Sequence, residues 1–266
     1  MSRLLCKPTG SSGRIHDITP ESAGWKYVGF ALHVLKEGDK VSELTGDREA
    51  ILVMIEGWAD ISSGCQSFGT VGSRSSVFDP IPPQSVYIPN DSQWEVVARG
   101  DCTLAVCTAP GHGGHAARLL DSPKRESRGK GANTRHIYSI AMEDADVADS
   151  LLVTEVITPS GNWSSYPPHR HDEDDFPNMT YLEETYYHRL NPSQGYAHQR
   201  VFTDDGSLDE TVSFTNHDLV LVPKGYHPCG APYGYDLYYL NVMAGPRRNW
   251  RFRNHPDHDW IAKRDA

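Results

Sequence analysis

Apolar and polar positions alternate along this chain in short bursts, and turn-forming residues interrupt them every few positions. The segments EAILVMIEGWADI, SVYIP, WEVVA, CTLAVCTA, LLVTEVI, LEETYYHRL, HQRVFT, DLVLVP and YDLYYLNVM are rich in β-branched and aromatic residues and bounded by Gly, Pro, Asn or Asp. Each reads as a strand. Nothing between them carries a long helical period. The one helix-compatible piece, GGHAARLLDS, is short and stops at Pro123. Strands of this length, separated by turns, predict an all-β sandwich or barrel.

The strand series repeats. Glu49 opens a strand forty residues before Pro89, and Glu183 opens one forty residues before Pro223. Leu104 and Tyr238 then each follow their proline by fifteen residues. Between the halves lies the basic, glycine-bearing stretch SPKRESRGKGANTRH, with the composition of an exposed linker. The expected organisation is a β-domain over 1–121, a linker over 122–136 and a second β-domain over 137–266.

Composition narrows the partners. The 266 residues include 23 Gly and 18 Pro and carry a formal net charge of −10, which argues against nucleic acid as a partner. No apolar run reaches the roughly 20 residues of a membrane helix, and no secretory signal opens the chain. Five cysteines without CxxC spacing read as reduced thiols in a cytoplasm. A small anionic substrate is compatible with the acidic balance, because one arginine can hold a carboxylate. A homo-oligomer is left open.

The candidate chemistry sits in the second half. His169 and His171 flank Arg170, and alternate residues of a strand share a face, so the two imidazoles can converge on one metal ion. Downstream, Pro223-Lys-Gly225-Tyr-His227 is a strand end followed by a turn that aims His227 back into the sheet. A His-x-His pair with a later Pro-x-Gly-x-His is the ligand arrangement of cupins, which add one acid. Three acids compete for that place. Cupin spacing favours Asp175, but DEDDFPNMT reads as an inserted loop. In the strand beyond it, Glu184 shares a face with Tyr186 and His188, whereas Glu183 lies on the other. Glu184 is taken first, Glu183 second and Asp175 third. The first half lacks this set: it has no His-x-His, and NDSQW stands where the second half has KGYH.

The stretches SSYPPHRHD, LEETYYHRL, QRVFTDD, LVPKGYHP and GYDLYYLNVMAG resemble the 5-deoxy-glucuronate isomerase family of myo-inositol catabolism. That family is a bicupin, two jelly-roll β-barrels, related to the 5-keto-4-deoxyuronate isomerases of pectin breakdown. The resemblance covers nearly the whole chain and is densest between Thr154 and Trp250. It implies an aldose–ketose isomerase of a sugar acid with one divalent metal in the C-terminal cupin: zinc first, with manganese, iron or nickel as the other candidates. It also supports Glu184, where ETY matches the acid-x-aromatic strand opening of the related isomerases.

An aldose–ketose shift needs a group that moves a proton. His188, Glu183 and Tyr186 are the candidates. Arg200 and Tyr239 are candidates for holding the substrate. His112, His115, His255 and His258 lack strand context and read as loop histidines, and His217 as a turn residue. A cupin dioxygenase and a non-catalytic sugar-binding module are the rival classes, separated by an oxygen requirement and by metal-independent binding respectively.

Overall fold

A computed structural model describes residues 2–265, and its regular structure is almost entirely β. Two compact units emerge, one built from 8–124 with 138–153, the other from 1–7, 125–137 and 154–266. The chain therefore divides less simply than a cut at a linker. Within 122–136 lies the strand Arg125–Arg128, exposed throughout and at the edge of a sheet. Charged residues suit such an edge, and the same charges make the segment read as a linker.

In the unit holding 8–124, a six-stranded sheet runs Arg118–Leu119, Ser85–Ile88, Arg48–Glu56, Cys102–Pro110, Gly29–Leu35, Gly13–Ile18. A four-stranded sheet runs Lys40–Leu44, Gln93–Ala98, Ala59–Ser63, Gln66–Val71. Ala50, Leu52 and Met54 of the long strand join Val86, Trp94, Val96 and Leu104 in a continuous apolar core. The stretch 113–122 is not helical. Gly113 and Gly114 disfavour a helix, and Arg118 and Leu119 instead pair with Tyr87 and Val86.

The other unit has a seven-stranded sheet in the order Leu5–Cys6, Leu219–Val222, Glu183–Asn191, Asp236–Ala244, Leu152–Thr158, Arg135–Ala141, Arg125–Arg128. A four-stranded sheet (Trp163–Ser164, Cys229–Gly230, Tyr196–Phe202, Asp209–Thr215) and the pair His169–Arg170 with Arg253–Asn254 complete it. Its core joins Val156, Tyr186, Leu190 and Tyr239 with Ala197, Val201 and Phe214.

Strand register makes the duplication explicit. Glu184 pairs with Val222 and Met243, Tyr186 with Asn241, His188 with Tyr239. Ala50 pairs with Ile88 and Thr108, Leu52 with Val106, Met54 with Leu104. Ala50, Leu52 and Met54 thus stand where the second half has Glu184, Tyr186 and His188. Leu104 corresponds to Tyr239 rather than Tyr238, because the second half gains a residue between Pro223 and its last long strand. Among the described residues no helix is long and apolar enough to cross a membrane.

Candidate metal centre

His169, His171 and His227 each offer a ring nitrogen within 4.8 Å of the others. Three separate pieces of local structure deliver them. The short strand His169–Arg170 pairs with Arg253–Asn254, with His169 opposite Asn254. His171 follows at once, and its carbonyl accepts from the Leu182 backbone N–H at 2.9 Å. His227 leaves a turn in which Gly225 has φ 86. A Cβ on Gly225 would stand 2.3 Å from the Phe202 carbonyl oxygen, so only glycine fits this turn. The Gly225 N–H donates to Asp172 at 2.7 Å.

Hydrogen bonds fix the tautomers. Nδ1 of His227 lies 2.9 Å from the Gly225 carbonyl and Nδ1 of His171 lies 3.3 Å from the Leu182 carbonyl. A carbonyl only accepts, so both Nδ1 atoms carry hydrogen and both Nε2 atoms are turned to the interior. The carboxylate of Glu184 meets them there, one oxygen 3.2 Å from Nε2 of His171 and 3.2 Å from Nε2 of His227. Its other oxygen accepts from the Asn241 amide at 2.7 Å.

Burial, helped by the neighbouring imidazoles, outweighs the raising effect of the Glu184 charge and leaves His227 titrating at about 3, so it is neutral near pH 7. Its Nε2 makes no hydrogen bond. A lone pair therefore faces a carboxylate oxygen in a buried interior, an arrangement that a cation between them reconciles. The two 3.2 Å separations of Glu184 from the histidines are close to the ~3.3–3.4 Å between neighbouring ligands of a zinc ion. His169 is held at about 3 by burial and by the charge of His171. Burial pulls His171 down, but the hydrogen bond and charge of Glu184 outweigh it and raise its pKa. The donor set fits a divalent ion, with His169, His171, His227 and Glu184 as the groups that would hold it.

The remaining candidates separate by strand face. Tyr186 and Tyr239 line the interior with ring centroids 4.9 Å apart. The Tyr186 hydroxyl is 2.9 Å from the Ser165 hydroxyl, and its ring is 5.9 Å from that of His227. His188 faces the same interior but lies deeper, one rung of about 6.6 Å beyond Tyr186 along the strand. It is stacked on Phe214 at 3.7 Å.

Three expectations need correction. Glu183 is buried on the opposite face of the strand from Glu184, so it cannot reach a substrate held by the histidines. Asp175 is exposed and paired with Arg253 on the outer loop. Arg200 is exposed and holds Asp209 through two hydrogen bonds of 2.8 Å. In its strand Ala197, Gln199 and Val201 are the buried positions, so Arg200 points outward.

Several lining groups had little or no sequence signal. Gln199, which alternation places inward, donates to the His227 carbonyl at 3.1 Å. Ser164 and Ser165 sit beside the two tyrosines. Phe252 packs on His169 with centroids 4.7 Å apart, and Trp250 stands 6.3 Å from the same ring. Arg135 lies near enough for its charge to be felt at His169 and Tyr239.

A duplicated barrel with a histidine cluster inside one copy defines a bicupin. A fold likeness agrees: oxalate decarboxylase from Bacillus subtilis superposes with a TM-score of 0.65 over 100% of this chain and 85% of that one, at 13% identity. Residues 4–261 match the KduI/IolB family, and the chain belongs to it. It is 52% identical to the 5-deoxy-glucuronate isomerase of Geobacillus kaustophilus, covering 98% of this chain and 96% of the relative. It is 44% identical to the protein of that name from Bacillus subtilis strain 168, covering 99% and 100%. The crystal structure of an IolB-like protein from Salmonella typhimurium matches with a TM-score of 0.96 and 48% identity, over 98% of this chain and 100% of that one. These relatives make the chain an isomerase.

Proposed function

We propose that the chain converts 5-deoxy-D-glucuronate to 5-dehydro-2-deoxy-D-gluconate, an aldose–ketose shift, with one divalent metal held by His169, His171, Glu184 and His227. The observation that carries the metal site is the convergence of two Nε2 atoms on one Glu184 oxygen at 3.2 Å, beside His169. The substrate rests on the two relatives of that name, aligned over nearly their full length. Zinc suits the three-nitrogen, one-oxygen set, and manganese, iron or nickel would also accept it.

The ion would supply a Lewis acid at the carbonyl end of the sugar. The chain's own residues do the rest. In the shift a proton leaves C2 and one arrives at C1, while the carbonyl moves from C1 to C2 with no net oxidation. Tyr186, whose ring lies 5.9 Å from that of His227, serves as the proton donor in this reading. Burial, the Glu184 charge and Tyr239 raise its pKa far above the usual phenol value, so it stays protonated and acts as donor rather than base. Ser165 orients its hydroxyl. Trp250 and Phe252, with ring centroids 5.1 Å apart, flank His169 on its aromatic side.

The test is anaerobic incubation of the metal-loaded protein with 5-deoxy-D-glucuronate in deuterated water. The expected result is the keto acid carrying deuterium at its newly reduced carbon, with activity lost to a chelator and restored by metal. Full activity in metal-free protein, or an absolute need for oxygen, rejects this route. Turnover of the pectin-derived keto-uronate alone would keep the mechanism and change the substrate.

A further inference from the structure

The proposed substrate carries its carboxylate at the end of the chain opposite the reacting carbonyl. A cation for that carboxylate must stand across the same interior from the metal ligands. Arg200 is on the outer face and engaged with Asp209, so the cation has to be sought elsewhere.

Arg135 opens the strand Arg135–Ala141. Ile137, two residues on, packs in the core cluster with Val156, Tyr186 and Tyr239. Alternate residues share a face, so Arg135 projects to the same interior. Its position is fixed on two sides. Nη1 donates to the Asn133 carbonyl at 3.1 Å and to the Asn133 side-chain oxygen at 3.3 Å. The neighbouring Thr134 carbonyl accepts from the Asn162 amide at 2.8 Å. Asn162 leads directly into Trp163, Ser164 and Ser165, whose hydroxyls attend Tyr186 and Tyr239. The same chain continues to His169. Arg135, the two serines, the two tyrosines and the first metal ligand therefore belong to one packed neighbourhood. Tyr239 also lies within range of the positive charge of Arg135.

From this placement, and resting on the isomerase reading above, we propose that Arg135 is the residue that receives the substrate's carboxylate and selects sugar acids over neutral sugars. A guanidinium suits the task because it stays charged and offers paired N–H donors to a carboxylate. Anchoring by Asn133 pre-orders it, so little rotamer freedom is lost when the acid arrives.

The test uses two inert probes with the metal-loaded protein: the sugar acid with its aldehyde reduced to an alcohol, and the same compound with its carboxylate also an alcohol. Binding is measured by calorimetry, and turnover of 5-deoxy-D-glucuronate in parallel. Wild type should prefer the acid by about a hundredfold, the size expected of charge-assisted hydrogen bonds in a partly buried site. Arg135→Gln should lose most of that preference, bind the neutral probe unchanged, keep its metal content and raise KM far more than it lowers kcat. Arg135→Lys, which keeps the charge without the fork, should fall between, and it decides the matter if the glutamine variant does not fold. Arg200→Gln should match wild type. An unchanged preference in Arg135→Gln or Arg135→Lys, or none in wild type, overturns the assignment. Preference that depends on Arg135 in a protein that does not turn over the aldose rejects the reaction and keeps Arg135; turnover with preference independent of Arg135 does the reverse.

Discussion

Asn241 and His188 are buried polar residues on the same interior, one beside the ligands and one beneath them, and they fail differently when changed. The Asn241 amide holds the Glu184 oxygen that does not face the histidines. Asn241→Leu removes that donor, leaves the oxygen unsatisfied and lets the carboxylate rotate. Partners of this kind are worth about 10–100-fold in metal affinity, and a chelator-competition titration should read a loss of that size with the fold intact. His188 is buried against Phe214, and burial outweighs the raising effect of the Gln199 side chain and holds its pKa at about 3. The unfolded chain binds a proton near pH 6.5 that the folded chain refuses, so stability is full above that pH and falls as pH drops towards 3. The loss approaches about 1.4 kcal/mol per pH unit within that window. His188→Phe should remove this contribution, so denaturant midpoints between pH 6.5 and 4 should fall less steeply than in wild type. Parallel slopes would mean that His188 does not bear the acid penalty.

At the scale of elements, the turn over 223–227 and the strand Glu183–Asn191 decide which groups meet. Gly225→Ala would press a Cβ against the Phe202 carbonyl at 2.3 Å, in a backbone region that side chains avoid. The turn must shift and carry His227 with it. The expected outcome is a destabilisation of about 1–3 kcal/mol together with weakened metal binding, whereas Lys224→Ala in the same turn should change neither. Thermal melts with and without added metal would separate the two effects. This element was legible: a proline fixing the strand end and a glycine permitting the turn are visible in the letters. So was the facing of Glu184, Tyr186 and His188, because strand alternation needs no tertiary information. The same rule applied to the strand of Arg200, where Ala197 and Val201 mark the buried positions, turns it outward, against the expectation that it holds the substrate. Arg135 was not legible. It opens an inner strand from within a basic, glycine-bearing run, and only the pairing of that run with a distant sheet turns a linker composition into barrel wall. The serines at 164 and 165 were hidden for a similar reason, since nothing local tells a lining hydroxyl from a turn.

For the whole molecule, duplication poses the question of how many ions one chain binds. The two halves share a strand plan, but their interiors differ at corresponding positions. Ala50, Leu52 and Met54 lie in a continuous apolar core, where the second half carries Glu184, Tyr186 and His188. Glu49 does not compensate, because its register matches Glu183, on the other face. Its carboxylate already accepts from the backbone N–H groups of Asp149, Ser150 and Leu151 at 2.6–2.7 Å and from the Tyr87 hydroxyl at 3.0 Å. At the positions matching Glu184, Tyr186 and His188 an ion in the first half would thus meet only apolar side chains, too few donors to offset its desolvation. The expected stoichiometry is one divalent ion per chain, falling to none when His169 and His171 are both replaced by alanine. Metal analysis of exhaustively loaded wild type and of that double variant checks this. Two equivalents in wild type, with one surviving the double substitution, would give the first half a site of its own and end the division of labour argued from its interior. The double variant should still melt cooperatively, because neither His169 nor His171 is a member of either apolar core cluster.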